Sequence, residues 1–189
     1  MGIERTAPDK LKPFFLQLIR TSFDQLHMGD NEIAEYVATL LANFSHSDQW
    51  LLLRDAQGKK LHSVVEMVVS AIGPEGHNRA IGERAVRKYV GDYTLFMSGL
   101  FRTFVQKRGF LEYYLQEGKR SYEAVSKLDV SLYRPGFLLF EELSRGFETY
   151  ADALDYMSKC FFATAPGANQ FAGVFKQFEA LIRSGLSSN

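Results

Sequence analysis

The chain has 189 residues, 46% hydrophobic and 14% aromatic, with 22 basic side chains against 22 acidic ones. This length suits one domain with a substantial core, and the apolar content with balanced charge excludes intrinsic disorder. A pI near 6.9 argues against a working surface for nucleic acid or anionic membrane, both of which select for surplus Lys and Arg, and the one cysteine, Cys160, leaves no internal disulfide and no Cys-based zinc or iron–sulfur site.

The N-terminus, Met1-Gly2-Ile3-Glu4-Arg5-Thr6, lacks the apolar core of a secretory signal; Gly2 with Thr6 matches the short myristoylation pattern, which also arises by chance. From Pro8 onward the apolar spacing is helical. Phe14, Phe15, Leu18, Ile19 and Leu26 mark a first helix, with Pro13 near its start and Gly29 as its stop. Asp30 is placed to cap a second helix, whose stripe is Ile33, Tyr36, Val37, Leu40, Leu41 and Phe44. The stretch Ser45–Lys60, containing Trp50-Leu51-Leu52-Leu53, reads equally as a short helix or an extended piece turning at Gln57-Gly58. The run Leu61, Val64, Val65, Val68, Val69 and Ile72 is spaced by threes and fours, so it predicts a helix ending at Gly73-Pro74, with Leu61, Val65 and Val69 facing inward.

Asn78–Arg108 is helical again, with one broad side from Ile81 through Tyr89, Tyr93 and Phe96 to Phe104. The interior glycines Gly82, Gly91 and Gly99 each weaken a helix by about 1 kcal/mol relative to Ala, which predicts a kink or division near Gly91. Gly109 ends this segment. A helix from Phe110 to about Leu128 follows, with Gly118 inside its apolar stripe, where another backbone can approach closely. After Arg134-Pro135-Gly136 comes the most regular pattern: Phe140, Leu143, Phe147, Tyr150, Leu154, Met157 and Phe161 alternate spacings of 3 and 4. It predicts one long heptad-patterned helix of about 26 residues, roughly 39 Å. Beyond Pro166-Gly167, Phe171, Val174, Phe175, Phe178, Leu181 and Ile182 predict a last helix before a polar tail. The uncharged stretch Cys160–Phe175 is interrupted by Pro166-Gly167 and falls short of the about 18–20 apolar residues of a bilayer span. The expected architecture is therefore a single all-α domain over 1–189, its packed part 8–186, built as a bundle of about seven helices.

Catalytic motifs do not emerge. Nucleotide-binding glycine loops and a Gly-x-Ser-x-Gly elbow are missing from the sequence, and Cys160 sits beside the heptad seam as a packed thiol. Among the histidines His27, His46, His62 and His77, only Asp24-x-x-His27 and His62-x-x-x-Glu66 approach ligand spacing. The second pair shares a face expected to meet water, and His27 belongs at a helix C-terminus, where an imidazole complements the dipole. His27, His62 and Glu66 are thus the ligands of an alternative reading, an iron- or haem-dependent helical enzyme.

Two features stand out more. The segment from Tyr89 to Phe162 holds 8 of the 9 tyrosines and 9 of the 16 phenylalanines. Tyr93, Tyr114, Tyr122 and Tyr150 bring hydroxyls into an apolar interior, as ordinary core or as the lining of an interhelical pocket for a flat or oily ligand. Charge is also segregated. Arg79, Arg84, Arg87, Lys88, Arg102, Lys107 and Arg108 face only Glu83 and Asp92 in their segment, whereas Gly136–Lys159 carries Glu141, Glu142, Glu148, Asp152 and Asp155. Neighbouring helices of complementary charge explain this best; an anion groove along Arg84, Gly91, Ser98 and Arg102 is the sharper alternative. These readings converge on a cytoplasmic protein with no predicted cofactor. It acts by binding a protein partner or an apolar small molecule, with Tyr93, Tyr114, Tyr122, Tyr150, Arg84 and Arg102 as candidate contacts. Wide apolar stripes and zero net charge predict a homodimer, with Arg84, Arg87 or Arg102 meeting Glu141, Glu148 or Asp152 at its rim.

Overall fold

A computed structural model describes residues 8–45, 64–70 and 77–161; the predicted last helix, His62 and most of Ser45–Lys60 lie outside these residues. The described residues form eight helices and no strand, as the periodicity predicts for an all-α fold: α1 (Pro8–Gln25), α2 (Asn31–Phe44), α3 (Val64–Ser70), α4 (His77–Leu100), α5 (Arg102–Lys107), α6 (Leu111–Ser131), α7 (Phe137–Arg145) and α8 (Phe147–Phe161). Among them no helix is long and apolar enough to cross a membrane.

Helix limits follow from local chemistry. Asp30 caps α2 as expected, its Oδ1 accepting from the Ile33 amide at 3.0 Å. Three helices end by one device, in which a left-handed residue lets the next amide reach back to a carbonyl five residues earlier. Gly109 does so for α5 (Phe110 N to Val105 O, 3.1 Å), His27 for α1 (Met28 N to Phe23 O, 2.8 Å) and Tyr133 for α6 (Arg134 N to Asp129 O, 2.9 Å). The stop of α1 is therefore His27, not Gly29, and α6 runs past Leu128 to Ser131.

Helix α4 is the central element. It packs on α6, α8 and α3, while α1 pairs with α2 and α7 lies on α6. It passes through Gly91 without interruption, and the predicted division falls at Phe101 instead. Gly91 is a packing point: a Cβ there would lie 2.6 Å from Cε1 of Tyr122, so its absence lets the tyrosine ring rest on the α4 backbone. Gly118 plays the same part on α6, where a Cβ would overlap the Phe147 ring and come within 2.5 Å of Thr94 Oγ1.

The heptad seam is buried as its spacing predicts: Phe140, Leu143, Phe147, Tyr150, Leu154 and Met157 all belong to the main core. Yet it is carried by two helices rather than one, separated at Gly146. The halves have different partners, α7 lying on α6 and α8 between α4 and α1. The short helix α3 is rotated relative to expectation. Val64 and Met67 are buried against Val90 of α4, whereas Val65 and Val69 are 56% and 61% exposed. Valines on several sides of so short a helix carry little phase information, so the neighbour decides which face is covered.

The crossing of α4, α6 and α8 tests this packing. Phe147 is fully buried, and Phe147→Ala is expected to cost about 3–5 kcal/mol, leaving a domain of ordinary stability barely folded at body temperature. Gly118→Leu, although a better helix former, is expected to lower the melting temperature as well, because its side chain has no room beside Phe147 and Thr94. Thermal melts followed by circular dichroism read both, and a melt of either variant unchanged from the parent would refute this crossing.

Candidate functional site

Polar chemistry in the core concentrates on α4. Asp92 is 7% exposed, and its carboxylate is shared by three donors from three helices. The Tyr36 hydroxyl of α2 donates to Oδ1 at 2.5 Å, the Tyr122 hydroxyl of α6 donates to the same oxygen at 2.8 Å, and Lys88 Nζ, one turn earlier on α4, donates to Oδ2 at 2.6 Å. The Lys88 ammonium also lies 5.1 Å from the Tyr36 ring centroid. A second buried acid follows the same logic: Asp129 of α6 is completely buried and is held by Nε and Nη2 of Arg84, whose guanidinium lies 5.6 Å from the Phe140 ring. Arg87 Nη1 reaches Glu117 at 3.1 Å, a further polar tie between α4 and α6.

Above this network α2 and α4 leave a pocket of about 330 Å³, lined by Tyr36, Thr39, Leu40, Asn43 and Phe44 from α2 and by Arg84, Ala85, Lys88, Tyr89 and Asp92 from α4. Its walls are partly aromatic, with Phe44 and Tyr89 ring centroids 5.8 Å apart, and Lys88, Arg84 and Asn43 supply polar atoms. Apolar walls and a few converging polar groups thus line the same cavity.

Among the described residues the candidate tyrosines make separate contacts. Tyr93 and Tyr114 pack against each other across α4 and α6, ring centroids 6.1 Å apart. Tyr122 serves Asp92, and Tyr150 on α8 packs against Phe23 while its hydroxyl donates to Glu142 at 3.3 Å. Arg84 does line the α2–α4 pocket, but Arg102 lies elsewhere and pairs with Asp152 of α8. The groove along Arg84, Gly91, Ser98 and Arg102 is absent because Gly91 and Ser98 are buried, the Ser98 hydroxyl donating to Thr94 O at 2.6 Å. The complementary-charge reading holds for Arg102 and Asp152, while Arg84 and Arg87 find their acids on α6. All three arginines proposed for a dimer rim are thus engaged within the chain.

Of the alternative metal ligands, His27 is exposed and occupies the left-handed stop of α1, and Glu66 is half-buried on α3. Among the described residues, no group of three or more His, Cys, Asp or Glu is gathered as a metal site would require. Sequence reasoning missed Lys88, Asp92, Tyr36, Asn43 and Tyr89 as site residues. The available signal was the spacing of four between Lys88 and Asp92, one of two acids on a mostly basic, apolar-striped helix. No protein-family model, curated protein or solved structure matches the chain.

Burial holds the tyrosine hydroxyls in their neutral form. It pushes Tyr89 up to about 12, with the Asp92 charge adding to the effect, and lifts Tyr36, Tyr93 and Tyr122 well above the ordinary phenol value of 10.0. Because the unfolded chain releases these protons first, their contribution to stability is complete below pH 10.0 and is lost as the pH rises through about 12. Alkaline titration is expected to show the buried tyrosines Tyr36, Tyr89, Tyr93 and Tyr122 ionising together with loss of helical circular dichroism. Smooth titration of these four tyrosines near 10.0 with the fold intact would contradict this placement.

Proposed function

We propose that this protein works in the cytoplasm by binding, and that its ligand is a small, flat or apolar molecule held between α2 and α4. The observation that carries this reading is the pocket of about 330 Å³ in which Phe44, Tyr89 and Tyr36 supply aromatic wall and Lys88, Arg84 and Asn43 supply polar contacts. The side chains at its base are fixed from behind: Tyr36 and Lys88 by Asp92, Arg84 by Asp129. A site whose walls are already held requires little ordering when a ligand arrives.

The dye 1-anilinonaphthalene-8-sulfonate, a flat aromatic anion, tests the reading. One saturable site per chain is expected, with fluorescence enhanced on the natively folded protein. Ala85 lines the pocket and is exposed, so Ala85→Trp is expected to fill the pocket and abolish that site without changing the melting temperature. Dye binding that survives Ala85→Trp, or no saturable binding at all, would overturn the proposal.

A second reading, association with another copy, is favoured by the corner between α6 and α7. Val130, Tyr133, Phe137 and Leu138 are all exposed there, Tyr133 by 97% and Leu138 by 64%. Light scattering at micromolar concentration is expected to give the mass of two chains, and of one chain for Leu138→Lys/Tyr133→Lys. A parent mass of one chain that does not change on concentrating would exclude self-association.

A further inference from the structure

We infer that the α2–α4 pocket selects ligands bearing an acidic group (carboxylate, sulfonate or phosphate) and that Lys88 recognises it. This rests on the pocket reading above and adds the charge of the ligand to it.

The four ionised groups around the pocket cancel in number but not in position. The acids lie behind the cations: the Asp129 side chain is 0% exposed and that of Asp92 11%, against 17% for Arg84 and 37% for Lys88. A molecule entering the mouth therefore meets the ammonium first. The carboxylate it could otherwise approach is already occupied, since Oδ1 of Asp92 accepts two tyrosine hydroxyls and Oδ2 accepts from Lys88. A cationic ligand would have to displace Lys88 and would be repelled by both basic groups. An anion faces no such competition. An ammonium carries three N–H donors, and that of Lys88 gives one to Asp92, which leaves donors directed away from the acid. Asn43, exposed on the opposite wall, adds an amide that can donate to the same group.

The phenyl and naphthyl rings of the dye named above, without the sulfonate, form N-phenyl-1-naphthylamine, and comparing the two isolates the acidic group. On the unmodified chain the sulfonate is expected to bind at least about tenfold more tightly than the neutral amine, as a charge-assisted hydrogen bond in a partly desolvated site should give. Lys88→Gln is expected to erase that preference by weakening the sulfonate alone, and Lys88→Arg to retain it. A melt of each variant identifies unfolding, and the comparison of the two dyes on the unmodified chain stands even if Lys88→Gln does not fold. Equal affinity for the two dyes, both blocked by Ala85→Trp, would overturn the role of the acidic group while leaving the pocket intact. Failure of both dyes to bind would instead remove the pocket reading on which the inference depends. A preference for the sulfonate that is unchanged in folded Lys88→Gln would overturn the role of Lys88.

Discussion

A carboxylate placed among apolar side chains is costly unless every lone pair it exposes is met, and Asp92 imposes that condition on three helices at once. Its donors come from α2, α4 and α6, so the relative height of those helices is set where Tyr36, Lys88 and Tyr122 converge. A shift of α6 by one turn would withdraw the Tyr122 hydroxyl from Asp92 and the Asp129 carboxylate from Arg84 together. Apolar contacts are tolerant of such shifts; a bare buried charge is not. Burial of the apolar core drives folding, whereas the buried acids penalise any arrangement that leaves them without donors.

The same network shapes the cleft. α1 pairs with α2, and α4 is covered by α6, α8 and α3, while α2 and α4 approach each other only sparingly. Between them stand large side chains, Tyr36, Phe44 and Tyr89, whose rings hold the helices apart; Phe44 also stacks on Phe96 with centroids 5.1 Å apart. The opening is what remains when bulky residues span two helices whose smaller neighbours lie elsewhere. Its polar rim follows from the need to satisfy Asp92 and Asp129, because the cations recruited by buried acids must keep their long stems, and part of their charge, toward water.

What the sequence discloses and what it conceals divide along physical lines. Helix identity, the cap at Asp30, the stop at Gly109 and the burial of Phe147 and Leu154 are local or periodic properties, written in spacing. The break at Gly146 is different: the 3–4 alternation continues across it undisturbed, and only the separate partners of α7 and α8 explain why the helix divides. His27 and Tyr133 conceal their role for another reason, since non-glycine residues seldom adopt the left-handed conformation and give no compositional warning. The site was hidden most deeply. Tyr36 and Asp92 are 56 residues apart, and Tyr122 is a further 30 beyond Asp92, so no motif of fixed spacing could have joined them. The tyrosines that sequence placed together are instead distributed over three separate contacts, because Tyr122 finds its acceptor on α4, Tyr150 finds its on α7, and Tyr93 and Tyr114 face each other.

The position of α8 has a consequence for how the chain is made. This helix lies against both α1 and α4, and its Tyr156 hydroxyl donates to Gln25, 131 residues earlier, at 2.8 Å. During synthesis the α1–α2 pair leaves the ribosome long before the surface that covers it. Leu18, Phe23 and their neighbours therefore wait, uncovered on one side, while more than half of the chain is still being polymerised. Contacts of such sequence separation carry the largest loop-closure cost and form late. Until α8 arrives, that face of the α1–α2 pair stays open to any partner that binds uncovered apolar surface.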